Sequence, residues 1–218
     1  MHFSISEALS LEAFKKMDEM AVSQYALPIA LMMENAGLIL AKLIANHASK
    51  QGKILIGVGN GNNGGGGLVA ARRLAGWGYN VFLDMVVPLT KELPLSQYRR
   101  ALLFGAVPER IPDPAVWVDA YLGFSQRLPL SAEFEKAIAE ANTSEALKVA
   151  LDLPTGILSK DENKMFQADK VLTLAAPKEI LNRLPASTEI LIADIGIPAE
   201  IYKEFKIEMP KFYDHGIT

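Results

Sequence analysis

The chain contains no cysteine, which excludes disulfide bonds, thiol catalysis and cysteine-ligated zinc or iron–sulfur sites. It has only three histidines, His2, His47 and His215, and two of them lie near the chain ends. This scarcity argues against a Ser-His-Asp triad or a multi-histidine metal site. No hydrophobic run reaches membrane-spanning length, and the first residues lack the basic start and apolar segment of a signal peptide. We therefore expect a cytoplasmic protein without a membrane segment.

The chain also has no excess of positive charge. It contains 22 Lys and Arg residues and 25 Asp and Glu residues, which gives a net charge of −3. Without a long basic run the chain is a poor general binder of nucleic acids, because neutralisation of phosphates dominates that affinity. Half of the 218 residues are hydrophobic, which is enough for a full core. The length predicts one domain over residues 1–218.

Short apolar runs alternate with helical patterns along the chain. The runs predict strands at residues 53–58, 80–87, 116–119, 148–152, 170–174 and 189–193. Helices are predicted around Leu11–Met20 and at residues 30–45, 68–75, 95–103 and 132–141. Continuous apolar runs are typical of strands that are covered on both faces. The alternation predicts an α/β fold, a three-layer α/β/α sandwich around a mainly parallel, Rossmann-like sheet.

In such folds, ligands bind beyond the carboxyl ends of the strands. The first predicted strand is followed by a glycine-rich segment, residues 59–67, which we expect to form a loop before a helix that starts near residue 68. Glycines let backbone amides approach a phosphate closely, and a helix N-terminus favours anions. Gly59, Gly61 and Gly64 match the dinucleotide fingerprint in spacing, but no lysine follows as in a P-loop. A merely flexible turn is the alternative.

Two aspartates end successive predicted strands. Asp119 ends the third predicted strand and Asp152 the fourth, with Thr155 close behind. Together with Asn62 and Asn63 they would form an all-oxygen environment, which suits a hard cation. Capping roles alone are the alternative for the aspartates. The methionines of the first two helices are expected to fill the core: Met17, Met20, Met32 and Met33.

Several segments, in order and at matching spacing, carry a family resemblance. They are residues 31–37 (LMMENAG), 59–72 (GNGNNGGGGLVAAR), 119–123 (DAYLG), 151–156 (LDLPTG), 176–178 (APK) and 194–198 (DIGIP). In these segments the chain resembles the YjeF N-terminal domain family, whose enzymatic members are NAD(P)H-hydrate epimerases. The resemblance implies a three-layer α/β/α sandwich of Rossmann type, often dimeric.

The resemblance also implies an activity and a site. The reaction interconverts the R and S forms of hydrated NADH or NADPH, NAD(P)HX, which is a substrate and not a cofactor. Asp152 would be the catalytic acid or base and contact the substrate, and Asn63, Asp119 and Thr155 would hold a potassium ion. The other substrate-binding residues would be Asn62, Asn63, Gly64, Gly65, Gly66, Gly123, Phe124, Ser125, Gln126 and Arg127. A separate dehydratase is an expected partner, because we expect residues 1–218 to hold only the YjeF N-terminal-like domain.

One position departs from the family pattern. Gly66 stands where the family loop N-N-G-G-D-G has its aspartate, and a lost charge-assisted hydrogen bond costs about 1.5–3 kcal/mol. The loss would leave a slow epimerase or an inactive one. We expect an epimerase, with a catalytically impaired domain that binds a nucleotide ligand or a protein as the alternative. An NAD-dependent oxidoreductase is disfavoured, because Asp84 lies within the second strand and not at its end.

Overall fold

The computed structural model describes residues 8–212. The helices are α1 (Leu11–Tyr25), α2 (Ile29–Ala45), α3 (Asn62–Gly76), α4 (Glu92–Leu103), α5 (Ala132–Thr143) and α6 (Ala199–Glu204). The strands are β1 (Lys53–Val58), β2 (Asn80–Met85), β3 (Val116–Ala120), β4 (Leu147–Leu151), β5 (Lys170–Leu174) and β6 (Glu189–Ala193). Short 3₁₀ turns at Glu162–Lys164 and Glu179–Arg183 complete the regular structure of this range.

The six strands form one sheet in the order β2-β1-β3-β4-β5-β6. Every neighbouring pair is parallel, which confirms the predicted parallel sheet. The chain runs outward from β1 to β2 and then returns to the other side of β1 with β3, so the winding direction reverses between β1 and β3. A crevice opens at such a reversal, beyond the carboxyl ends of the two strands.

Helices cover both faces of the sheet, which confirms the three-layer architecture. Successive strand residues point to opposite faces. Ile54 and Ile56 of β1 pack in the core under α2 and α3, whereas Leu55 packs in a second core with residues of α5. A third apolar cluster joins α1, α2 and α6 next to the ends of β5 and β6.

Helix α3 starts six residues earlier than the sequence predicts. Gly64 to Gly67 lie inside the helix and are buried, so the expectation of a loop up to residue 68 is wrong. A Cβ atom on Gly67 would come within 2.5 Å of the Ala120 Cβ, and one on Gly37 of α2 within 2.4 Å of the Val69 Cβ. The missing side chains let α3 lie close to β3 and α2, and this packing outweighs the low helix propensity of glycine.

An ion-pair cluster ties α2 to α3 on the helical surface. Glu34 accepts hydrogen bonds from Arg72 at 2.6 Å and Arg73 at 3.0 Å. Burial opposes ionisation of Glu34, but the two guanidinium groups outweigh it and hold the pKa of Glu34 below its usual range.

Among residues 8–212, no helix is long and apolar enough to cross a membrane.

Candidate active site

A cavity of about 190 Å³ lies beyond the carboxyl ends of β1, β3 and β4. It is the crevice expected where the strand order reverses. Seven of the predicted substrate-binding residues line it: Asn62, Asn63, Gly66, Gly123, Phe124, Ser125 and Asp152. The volume is below the roughly 300–1,000 Å³ of complete ligand pockets. The cavity therefore has room for one end of a dinucleotide, and the remainder would lie outside it.

The N-terminus of α3 forms one wall of the cavity. Its N-cap, Gly61, has no side chain to cap the helix, and the first amides of a helix have no intrahelical acceptor. A Cβ atom on Gly64 would lie 1.9 Å from the carbonyl oxygen of Gly59, so this turn closes only with glycine. Free amides at a helix N-terminus favour an anionic group such as phosphate.

The predicted catalytic residue, Asp152, follows β4 directly. Its backbone has a positive φ of 66°, an uncommon conformation that asparagine and aspartate tolerate best. Oδ2 accepts a hydrogen bond from the Phe124 amide at 2.8 Å, and Oδ1 lies 3.0 Å from Nζ of Lys178. The contact with Lys178 lacks the alignment of a hydrogen bond, but at this distance between two buried charges it is an ion pair.

Lys178 is fully buried behind Asp152 and was missing from the predicted site, although it lies in the segment 176–178. Its ammonium group donates to the Thr173 hydroxyl at 2.9 Å and to the carbonyl oxygen of Leu174 at 2.9 Å. It also lies 3.7 Å from the ring centre of Phe14. Burial lowers the pKa of Lys178, and the carboxylate of Asp152 opposes this effect. The site therefore holds a compensated charge pair at the cavity wall.

Asp119 and Thr155 form a buried pair below the cavity. The Thr155 hydroxyl donates to Asp119 Oδ1 at 2.7 Å, and the Thr155 amide donates to Oδ2 at 2.6 Å. Burial raises the pKa of Asp119 to about 7, although these bonds and one from the Tyr121 amide oppose the rise. No lysine or arginine in the described range pairs with Asp119. A buried carboxylate without a counter-charge fits a bound cation.

The third predicted cation ligand, Asn63, lies nearby on α3. Its Nδ2 donates to the carbonyl oxygen of Leu151 at 3.2 Å, and its Oδ1 is buried with no hydrogen-bond partner in the described range. Such an orphaned oxygen is unusual in a folded protein and points to an unseen partner. No hydrogen bond joins Asn63 to Asp119 or Thr155 within residues 8–212.

The remaining predicted residues lie outside the cavity lining. Gln126 is buried, and its side chain bridges the carbonyl oxygens of Gly123 and Pro154 and the amide of Gly156. It therefore fixes the loop 123–127 and has no free polar group for a ligand. Arg127 is exposed, and Gly64 and Gly65 are buried inside α3.

Helices α1 and α2 contribute cavity residues that sequence reasoning missed. Phe14 and Asp18 of α1 line the cavity, and so do Met32 and Met33 of α2, which were expected only to fill the core. Phe14 and Asp18 are four residues apart and so share a helix face. This spacing is the one signal in the sequence that links them.

Asp84 does not serve the role that a nicotinamide-dependent oxidoreductase requires. It is buried and accepts a hydrogen bond from the Tyr121 hydroxyl at 2.5 Å, and Arg110 lies 3.4 Å away. The carboxylate is therefore engaged within the protein and does not extend to a ribose at the crevice.

Comparisons with known proteins show what this chain is similar to. The family model described as YjeF-related protein N-terminus matches residues 29–180. An NAD(P)H-hydrate epimerase of Rhodopirellula baltica is 31% identical over 217 residues, which cover 91% of this chain and 88% of the relative. A bifunctional NAD(P)H-hydrate repair enzyme Nnr of Archaeoglobus fulgidus is 35% identical over 184 residues, which cover 80% of this chain and 38% of that protein.

A solved structure shares the fold. The crystal structure of yeast ynu0 superposes with a TM-score of 0.84 at 21% identity and covers 97% of this chain and 99% of the yeast chain. At that identity the likeness concerns the fold alone. The family match over most of the chain and the relatives above 30% identity together settle the assignment: the chain belongs to the YjeF-related N-terminus family.

Proposed function

We propose that the protein is an NAD(P)H-hydrate epimerase, which interconverts the R and S forms of NAD(P)HX. The observation that carries the proposal is the Asp152–Lys178 pair at the wall of a cavity beside a free helix N-terminus. The helix amides suit the phosphates of a dinucleotide, and a carboxylate in the cavity suits proton transfer at the hydrated ring. Epimerase relatives that match most of the chain support the same reaction.

The test is direct. Purified (R)-NADHX is incubated with the protein in potassium buffer, and the R:S ratio is followed by chromatography against a protein-free control, because the epimers also interconvert spontaneously. Faster equilibration than in the control supports the proposal. Equilibration at the control rate contradicts it.

Potassium is the cation that we propose for the Asp119 site. Asp119, Thr155 and Asn63 supply oxygen atoms. Asp119 is buried without a counter-charge, and Asn63 Oδ1 has no hydrogen-bond partner in the described range. A bound potassium ion would supply positive charge that offsets the buried carboxylate and favours an ordered loop between residues 119 and 123. Replacement of potassium by sodium in the assay tests this part separately.

Gly66 bears on the rate. It lines the cavity, and a Cβ atom there would lie 3.0 Å from Cδ2 of Leu151. We therefore propose a slow epimerase, because the cavity wall has Gly66 where the family has an aspartate. The second candidate, a domain that binds a nucleotide ligand or a protein without catalysis, rests on this residue alone. An inactive wild type whose activity returns in Gly66→Asp would favour it.

The cellular setting belongs to the same proposal. A dehydratase that accepts one epimer would make epimerisation useful, and the bifunctional name of the Archaeoglobus fulgidus relative supports such a partner.

A homodimer in the cytoplasm is the arrangement we propose, supported by the family resemblance and by the lack of cysteine. Light scattering of the purified protein measures the oligomeric state.

A further inference from the structure

The cavity contains a second carboxyl group besides Asp152. Asp18 reaches it from α1, next to Phe14 on the same helix face. The Phe14 ring lies over the ammonium group of Lys178 and packs edge-on against Phe124, with 5.1 Å between the ring centres. Helix α1 therefore packs against Lys178, the residue that pairs with Asp152. The position of Asp18 at the cavity follows from this packing.

The two carboxyl groups have opposite surroundings. Asp152 has the Lys178 ammonium at 3.0 Å and an amide donor on its other oxygen. The Asp18 side chain forms no ion pair or hydrogen bond within residues 8–212. Burial raises the pKa of Asp18, and the charge of Asp152 adds to the rise. Lys178 opposes this shift and Glu19 contributes to it, while Lys91 lines the cavity from the start of α4.

One carboxyl group of the cavity is held by a cation and an amide, and the other has neither. Two carboxyl groups in such different environments are the usual basis of an acid and a base. Epimerisation needs both. The hydroxyl-bearing carbon of the hydrated ring is bonded to the ring nitrogen. To invert it, the C–O bond must break with its electron pair on oxygen, which needs a proton. A water oxygen must then bond to the other face, which releases a proton.

We propose, on the basis of the epimerase function above, that Asp18 donates the proton to the departing hydroxyl and Asp152 accepts the proton from the returning water. The nitrogen lone pair forms a C=N bond as the protonated hydroxyl leaves as water. When water adds to the opposite face, the C=N electron pair returns to nitrogen and one water proton moves to Asp152. The proton then returns from Asp152 to Asp18 through water, so the cycle consumes nothing.

The test compares Asp18→Asn with Glu19→Gln, which removes a carboxylate from the next residue of α1. Glu19 is exposed, does not line the cavity and pairs only with Lys15 among the described residues. Loss of a general acid lowers kcat by roughly 10²-fold or more. We expect this loss in Asp18→Asn with little change in KM. In Glu19→Gln we expect kcat close to the wild-type value, because Glu19 makes the smallest of the contributions to the pKa shift of Asp18. The wild-type kcat should fall at high pH, where Asp18 loses its proton, and Asp18→Asn should lack this fall.

Three results would overturn the proposal. One is Asp18→Asn with the same kcat as Glu19→Gln. The second is an Asp18→Asn variant that is slow but keeps the wild-type pH profile. The third is an Asp18→Asn variant that does not fold in a thermal melt, since the side chain would then be structural. Failure of this proposal can be distinguished from failure of the epimerase function. In the second case the wild type itself would not exceed the protein-free rate.

Discussion

Replacing Lys178 by methionine removes the ammonium group but keeps a side chain of similar length. Lys178 and Asp152 have side-chain exposures of 0% and 2%, with 3.0 Å between Nζ and Oδ1. Removing one partner of such a pair leaves an uncompensated buried charge, which costs about 3–5 kcal/mol. For a chain of this size, that loss lowers the melting temperature by roughly 6–20 °C. We expect a folded but less stable protein with little activity.

A matched control and a double variant complete this experiment. Lys15→Met breaks an exposed pair with Glu19, in which the side chains are 64% and 63% exposed, and costs less than about 0.5 kcal/mol. Lys178→Met combined with Asp152→Asn removes both charges and should melt above the single Lys178→Met variant, still without activity. Thermal melts by circular dichroism measure all four proteins. A Lys178→Met variant as stable as Lys15→Met would refute the reasoning.

Three further predictions follow from other parts of the structure. Gly64→Ala should lose about 1–3 kcal/mol of stability or more, because its Cβ would meet a backbone oxygen. Gly61→Ala is the control: nothing lies within 4 Å of the added atom, so its melting temperature should equal that of the wild type. The low pKa of Glu34 means that its pairing stabilises the fold above the usual pKa of 4.5 and is lost on acidification; the stability gap between wild type and Glu34→Gln should therefore shrink as the pH of urea titrations falls through that region. Thr155→Val should abolish any advantage of potassium over sodium in the epimerase assay, while Thr155→Ser should keep it.

Much of the fold could be predicted from periodicity. Strands covered on both faces have continuous apolar runs, and β1, β5 and β6 have the predicted bounds. Helix α3 could not be predicted from local propensity. Four consecutive glycines favour a loop, and only contact with β3 and α2 makes a helix the better state there. Such contacts join residues that are distant in sequence, so composition carries no signal for them.

The site was predictable where it follows strand ends and unpredictable where helices supply it. Asp119 and Asp152 could be found from their places at the carboxyl ends of strands, since Asp119 is the second-last residue of β3 and Asp152 directly follows β4. Asp18 could not, because α1 meets the cavity only through packing of Phe14 on Lys178 and Phe124. Gln126 shows the converse: its segment was expected to bind substrate, but its side chain holds the loop together.

The central claim is that Asp152 catalyses epimerisation, and one comparison of variants tests it. Asp152→Asn is compared with Asp113→Asn, since Asp113 also has a positive φ, of 50°, is exposed and lies outside the cavity lining. Asparagine tolerates a positive φ at either position. The two variants therefore differ in whether the carboxylate that is lost lines the cavity. With (R)-NADHX in potassium buffer, the account predicts that Asp113→Asn equilibrates the epimers at the wild-type rate and Asp152→Asn at the protein-free rate. Equal rates for the two variants would contradict it.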